Sequence, residues 1–207
     1  SLYPTIMGYM AGSTEILAGY AISGNIEKVC TVVVFAIAGT AAIIVGREIG
    51  AGRASTVYDT GKCLNTLAFL TGLAVGAAGI LGALFFVSPV VYPLFGLSQE
   101  ARDIATMMLI VTFAFLSVRS FNSTNIVGVL RGGGDVRAAT ITDLIPLWCF
   151  ALPLSAVFGL VLHLDIFWVY MGISLENVLK FFLGVRRFRS GAWIHDVTQI
   201  SYRKAEV

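Results

Sequence analysis

The chain has 207 residues, of which 57% are hydrophobic and only 13% charged, with a formal net charge of +2 and a mean hydropathy of +0.85. A soluble domain carries charge on roughly a quarter of its residues, and half that share leaves too little polar surface to face water on every side. Lipid is therefore the expected solvent for most of the chain. The small net charge gives no ground for a nucleic-acid partner.

The fold class read from the pattern is all-α: a polytopic membrane bundle of six helices, the first truncated. The chain opens Ser1-Leu2-Tyr3-Pro4 with no initiator methionine, basic flank or small-residue cleavage site, so it does not read as a signal peptide. It reads as the broken end of a membrane helix over residues 1–11, in a fragment of a longer protein. Gly12-Ser13-Thr14-Glu15 is a turn, with Ser13 or Thr14 a good N-cap for a second helix over 15–50. The third helix, over 55–87, carries Gly72, Gly76, Gly79 and Gly82, a spacing that lets backbones approach in lipid. Ser88-Pro89 is expected to end it, and Tyr92-Pro93-Leu94-Phe95-Gly96 to form an interfacial loop.

A fourth helix, capped by Ser98-Gln99-Glu100, is expected over 98–131. The fifth, over 135–162, is interrupted by Pro146 and Pro153, each of which removes a backbone donor and favours a kink. The sixth runs over 166–189, and residues 190–207 form a polar C-terminal tail with Trp193 near the interface and Arg203-Lys204 beyond.

Basic residues set the orientation. Arg47, Arg53 and Lys62 lie at the second-to-third turn, Arg131 and Arg137 at the fourth-to-fifth, and Arg186, Arg187 and Arg189 at the start of the tail, whereas the alternate turns hold only Arg102. Basic residues stay on the cytoplasmic side. Both basic turns and the C-terminus are thus expected inside, in a multi-pass protein of the cell membrane.

Several ionisable residues fall inside the apolar runs, where one charge at mid-bilayer costs roughly 2.5–3.5 kcal/mol on insertion scales. Depth counted at about 1.5 Å per helical residue pairs Arg119 with Glu176 near the midplane, and Asp143 with Lys180 nearer the inner surface. The plainer alternative is a bridge within the last helix, since Glu176 and Lys180 are spaced i, i+4. Asn122, Asn125 and Asn177 add amides at similar depth, lining a cavity or bonding across helices. Glu27 and Lys28 are expected at the outer boundary, where snorkelling suffices. These seven (Arg119, Asn122, Asn125, Asp143, Glu176, Asn177 and Lys180) are the candidates for a substrate or ion pathway, against an equally weighted reading as structural pairs.

Water-soluble chemistry is nearly missing from the pattern. Gly50-Ala51-Gly52 does not continue as a dinucleotide fingerprint, and Gly61-Lys62 lacks the rest of a phosphate loop. His163 and His195 stand alone, and no metal or catalytic constellation appears. Cys30, Cys63 and Cys149 read as buried, inert thiols. An enzyme is not expected.

The two basic turns carry a further signal. Val45-Gly46-Arg47-Glu48-Ile49-Gly50-Ala51-Gly52-Arg53 resembles the pattern that ends the second helix of each lobe in multidrug and toxic compound extrusion (MATE) transporters. Gly128-Val129-Leu130-Arg131-Gly132-Gly133-Gly134-Asp135-Val136-Arg137 resembles the end of that family's fourth helix. The resemblance implies the C-terminal lobe of a two-lobe antiporter that expels organic cations or other small amphipathic molecules. It also implies Na⁺ or H⁺ as the coupling ion, with no other cofactor. Many members carry an acidic residue about three turns before the Arg-Gly pair; here Arg119-Ser120-Phe121-Asn122 holds none, so the ion is expected mainly in the missing N-terminal lobe. The residues themselves make Gly46, Gly50, Gly52, Arg131, Gly132, Gly134 and Asp135 structural pivots. Gly50, Gly52 and Gly132 to Gly134 permit positive φ, Arg131 and Arg137 hold helix carbonyls or lipid phosphates, and Asp135 caps the next helix. The rival functions are a flippase of lipid-linked saccharides, which calls for a strongly basic cavity, and a non-transporting bundle, which calls for none.

Overall fold

Apolar runs too long for a soluble core fold, in a computed structural model that describes residues 3–10 and 12–195, into helices that pack side by side. They are α1 (Tyr3–Gly8), α2 (Ser13–Gly50), α3 (Ser55–Leu94), α4 (Gln99–Ala114), α5 (Leu116–Leu130), α6 (Val136–Val161) and α7 (Ile166–Arg189). α2, α3, α6 and α7 are each long and apolar enough to cross a membrane, and α4 with α5, bent by 53°, meets the same length and hydropathy test as a pair. Expectations for Ser1, Leu2, Ala11, Arg203 and Lys204 lie outside the described residues. Large apolar side chains such as Val29, Leu70, Phe85 and Phe182 point outward, as suits a surface that faces lipid or another apolar face.

Capping side chains start three helices: Ser98 Oγ accepts from Ala101 N at 3.3 Å, Asp135 Oδ1 from Ala138 N at 3.3 Å, and Asp165 Oδ1 from Phe167 N at 3.0 Å. α2 differs. It begins at Ser13 after Gly12 in the left-handed region (φ 72°), with no side-chain cap.

Ser88-Pro89 does not end α3, which runs on to Leu94 through a wide-register segment, Ala83–Val91. Proline lacks an N–H and its ring crowds the carbonyl four residues back; an i→i+5 register moves that carbonyl away and keeps the helix intact. α6 also carries two wide-register segments, Leu147–Ala151 next to Pro146 and Val157–Val161 beyond Pro153, and stays one span. The sharp break falls elsewhere, where the sequence carries no proline. The fourth predicted helix turns by 53° between Ala114 and Leu116.

That break packs against the glycines of α3. A Cβ at Gly76 would lie 2.5 Å from the Phe113 carbonyl oxygen, and one at Gly72 would lie 2.8 Å from that of Leu116. Gly79 meets the Phe113 ring, whereas Gly82 faces open space. The small-residue stripe therefore does what its spacing predicts for three of its four members.

The two glycine-arginine corners lie at the same end of the bundle, joined by a core of Val45, Ile49, Val57, Val129, Leu130, Phe188 and Trp193. Only Gly52 (φ 73°) and Gly134 (φ 92°) among the corner glycines use positive φ. Gly132 and Gly133 are needed for closeness: a Cβ on Gly132 would lie 2.9 Å from the Ala42 carbonyl oxygen, and one on Gly133 only 2.4 Å from Trp193 Cε3. Gly46 lies beside the Gly132 carbonyl, while Gly50 closes α2 with nothing near it. Arg131 and Arg137 are exposed and, among the described residues, hold no carbonyl. Arg187 does the bonding, with its Nε donating to Asp135 Oδ2 at 2.6 Å.

The start of the tail is folded onto this corner. Trp193 is fully buried, donates from Nε1 to the Phe188 carbonyl at 3.0 Å and stacks on the Phe188 ring. Ile194 forms an antiparallel bridge with Gly134. The thiols also depart from expectation, since Cys63 and Cys149 are exposed and Cys30 is half-buried. In a membrane helix, apolar sequence neighbours mark the lipid face as readily as the core.

Candidate functional site

The bend at Phe115 lies beside a polar cleft of about 820 Å³ enclosed by α1, α2, α4, α5, α6 and α7. Six of the seven candidate residues line it, namely Arg119, Asn122, Asp143, Glu176, Asn177 and Lys180. Amphipathic placement explains the convergence. Positions 112, 119 and 122–123 lie on the side of α4–α5 that faces α7, while positions 170, 173–174, 176–177 and 180 form one helical stripe of α7.

Lys180 Nζ lies 3.0 Å from Asp143 Oδ1 across the cleft and 3.4 Å from Glu176 Oε1 one turn earlier in α7. Both pairings foreseen for it occur together. Glu176 also accepts from the Tyr3 hydroxyl at 3.4 Å. Arg119 does not pair with Glu176. Its guanidinium donates to Glu27 of α2, so Glu27 lies in the cleft wall, with Lys28 beside it. At about 1.5 Å per residue, the 38 residues of α2 exceed the roughly 30 Å of hydrocarbon, so depth along it does not follow from a residue count alone.

Asn122 Nδ2 donates to the Asn177 carbonyl at 2.8 Å, tying α5 to α7. Asn125 leaves the cleft. It is fully buried one turn further along, where its Oδ1 accepts from Asn65 Nδ2 of α3 at 3.1 Å. Gly184 of α7 provides the room, since a Cβ there would lie 2.7 Å from Asn125 Nδ2. Asn65 had no distinguishing signal, being one polar residue among the threonines of α3. Thr112 and Tyr170, whose hydroxyls lie 2.8 Å apart on the cleft wall, were equally silent.

The charges of the cleft balance: Glu27, Asp143 and Glu176 against Lys28, Arg119 and Lys180. Tyr3, Tyr20, Phe35, Phe115 and Tyr170 interleave with them, so the cleft presents aromatic surface beside paired charge. Such a lining suits a small amphipathic guest with one charged group. A second hollow, of about 840 Å³, lies between the start of α4 and the α6–α7 loop and contains His163 but none of the candidate residues.

Comparison with known proteins agrees with the corner motifs. The MatE family model matches residues 1–157. The chain is 28% identical over 192 residues to YisQ, an uncharacterised transporter of Bacillus subtilis, covering 91% of this chain and 39% of that protein. It is 27% identical over 146 residues to NorM, a probable multidrug resistance protein of Bacillus cereus, covering 70% of this chain and 31% of that protein. The chain thus spans well under half the length of these relatives. No solved structure matches it.

Proposed function

The chain belongs to the MatE family, and from that premise we propose that it is one lobe of a multidrug efflux antiporter. The lobe works with a partner lobe of the same polypeptide and moves small amphipathic or cationic molecules out of the cell by alternating access. Uptake of Na⁺ or H⁺ drives the cycle, with the coupling ion held mainly in the partner lobe. The protein is a carrier and not an enzyme. It lies in the cell membrane with both glycine-arginine corners and the end of α7 in the cytoplasm, as the basic residues gathered at that end favour.

The observation that carries this reading is the polar cleft itself. Six charged side chains line a hollow of about 820 Å³ in a bundle whose outer face is apolar. Intramembrane charge is retained where it lines a pathway. A bundle with only a structural role calls for packed charges and no hollow, and a carrier of lipid-linked saccharide calls for a basic one. The balance of three acidic and three basic groups favours neither.

The test is export of a fluorescent amphipathic cation from vesicles containing the full polypeptide, under an imposed Na⁺ or proton gradient. Gradient-dependent efflux that falls when the cleft charges are neutralised supports the reading. Efflux indifferent to both gradients removes ion coupling, and the absence of efflux for cationic, zwitterionic and neutral probes alike removes the function.

A further inference from the structure

Lys180 sits with its ammonium between two carboxylates, 3.0 Å from Asp143 and 3.4 Å from Glu176. Its side chain is 12% exposed, that of Glu176 14% and that of Asp143 43%. The Tyr3 hydroxyl donates to the second oxygen of Glu176. Two carboxylates at a shared site in low dielectric repel each other, and one tends to take up a proton unless a cation lies between them. Here that cation belongs to the chain. The other cleft carboxylate, Glu27, is likewise engaged by Arg119, so among the described residues every carboxylate of the cleft has a side-chain cation.

We infer that Lys180 is a tethered substitute for an inorganic coupling ion: its ammonium fills a dicarboxylate site that would otherwise take Na⁺. This deepens the reading of the cleft as the lobe's substrate and ion pathway, and rests on it. The oxygens around the Lys180 ammonium are those of Asp143 and Glu176, with the Tyr3 hydroxyl at the rim, the kind of oxygen set that hard cations accept. Removing the amine while keeping the oxygens leaves both carboxylates of the site unpaired and the partly dry cleft with one excess negative charge. An ion of ordinary size then gains the place that the amine held. Arginine at 180 keeps the charge and the exclusion.

The experiment follows thermal unfolding of the full polypeptide in detergent, in NaCl and in choline chloride at equal ionic strength. The wild-type protein sets the Na⁺ response of everything else in the molecule. The expected result is that Lys180→Gln adds a saturable Na⁺-dependent rise in midpoint on top of that response. Lys180→Arg adds none, and Glu176→Gln in the Lys180→Gln background abolishes the gain. Should Lys180→Gln fold only when Na⁺ is present, the inference is also supported, because the ion has replaced the amine. A Lys180→Gln protein that responds to Na⁺ no more than wild type, or fails to fold equally in both salts, overturns it. Unfolding requires no transport, so failure here leaves the efflux reading standing, and failed efflux leaves the ion result interpretable.

Discussion

Arg119 of α5 forms its ion pair with Glu27 of α2, and the two lie at matching heights above the place where those helices touch. Gly132 rests on Ala42; Glu27 is about fifteen residues beyond Ala42 and Arg119 about thirteen beyond Gly132, so both stand roughly 20 Å from the crossing at 1.5 Å per residue. The pair closes one wall of the cleft and bridges two helices that the corner core already joins at the other end.

Removing one partner leaves the other charge without compensation. Glu27→Gln or Arg119→Gln should each destabilise the protein by about 1–3 kcal/mol. That is less than a fully buried pair loses, because the Arg119 side chain is 36% exposed. The double variant should recover part of the loss, with a coupling energy of about 0.5–3 kcal/mol in a double-mutant cycle read by unfolding in detergent. Strict additivity would show that the two side chains do not interact.

Asp143 is the most exposed of the paired carboxylates and the one within reach of a guest's ammonium group. Asp143→Asn should weaken binding of an amphipathic cation about 10- to 100-fold, the span of a charged hydrogen bond worth roughly 1.5–3 kcal/mol, while a neutral amphiphile of equal size loses little. Fluorescence titration of both probes measures the contrast. An equal loss for both would mean that the substitution had collapsed the cleft.

The glycines of α3 divide into those that touch and one that does not. Gly76→Ala drives a methyl group to within 2.5 Å of the Phe113 carbonyl oxygen, so it should lower stability by about 1–3 kcal/mol, as overpacking does. Gly82→Ala meets nothing and should be neutral or slightly stabilising, since alanine is the better helix former. Thermal midpoints of the two variants give the comparison. A neutral Gly76→Ala would mean that α3 and the bend do not approach this closely.

The spans, the common end of the two corners and the Lys180 triad could be read from hydropathy, basic residues and i, i+4 spacing, because those signals depend on lipid and on helix geometry alone. The bend at Phe115 could not. It carries no proline, and its cause lies on another helix, in the glycines of α3 that accept its displaced carbonyls. The prolines misled for the complementary reason, since a local widening of the register absorbs them within a continuous span. Glu27 was visible as a charge, but its pairing with Arg119 of another helix leaves no mark in the local sequence. Asn65 is explained only by its contact with Asn125, which no one-dimensional pattern records.

Trp193 illustrates the same limit and gives the last test. From sequence it is an aromatic in a polar tail; in the fold it is the fully buried cover of the α5–α6 corner, stacked on Phe188, which stacks in turn on Tyr58. The corner tolerates it only because residue 133 has no side chain. Gly133→Ala places a carbon 2.4 Å from the indole and 2.6 Å from the Trp193 carbonyl oxygen, both positions set by backbone contacts, including the His195 N–H bond to the Gly133 carbonyl at 3.0 Å. The tail should therefore lift away. In a protein whose other tryptophans, Trp148 and Trp168, are changed to phenylalanine, the emission of Trp193 should shift to the red in Gly133→Ala and become open to a water-soluble quencher. Trp193→Ala, which keeps the glycine but empties the cover, should cost about 3–5 kcal/mol. Blue, unquenched emission from Gly133→Ala would show that the tail does not rest on the corner.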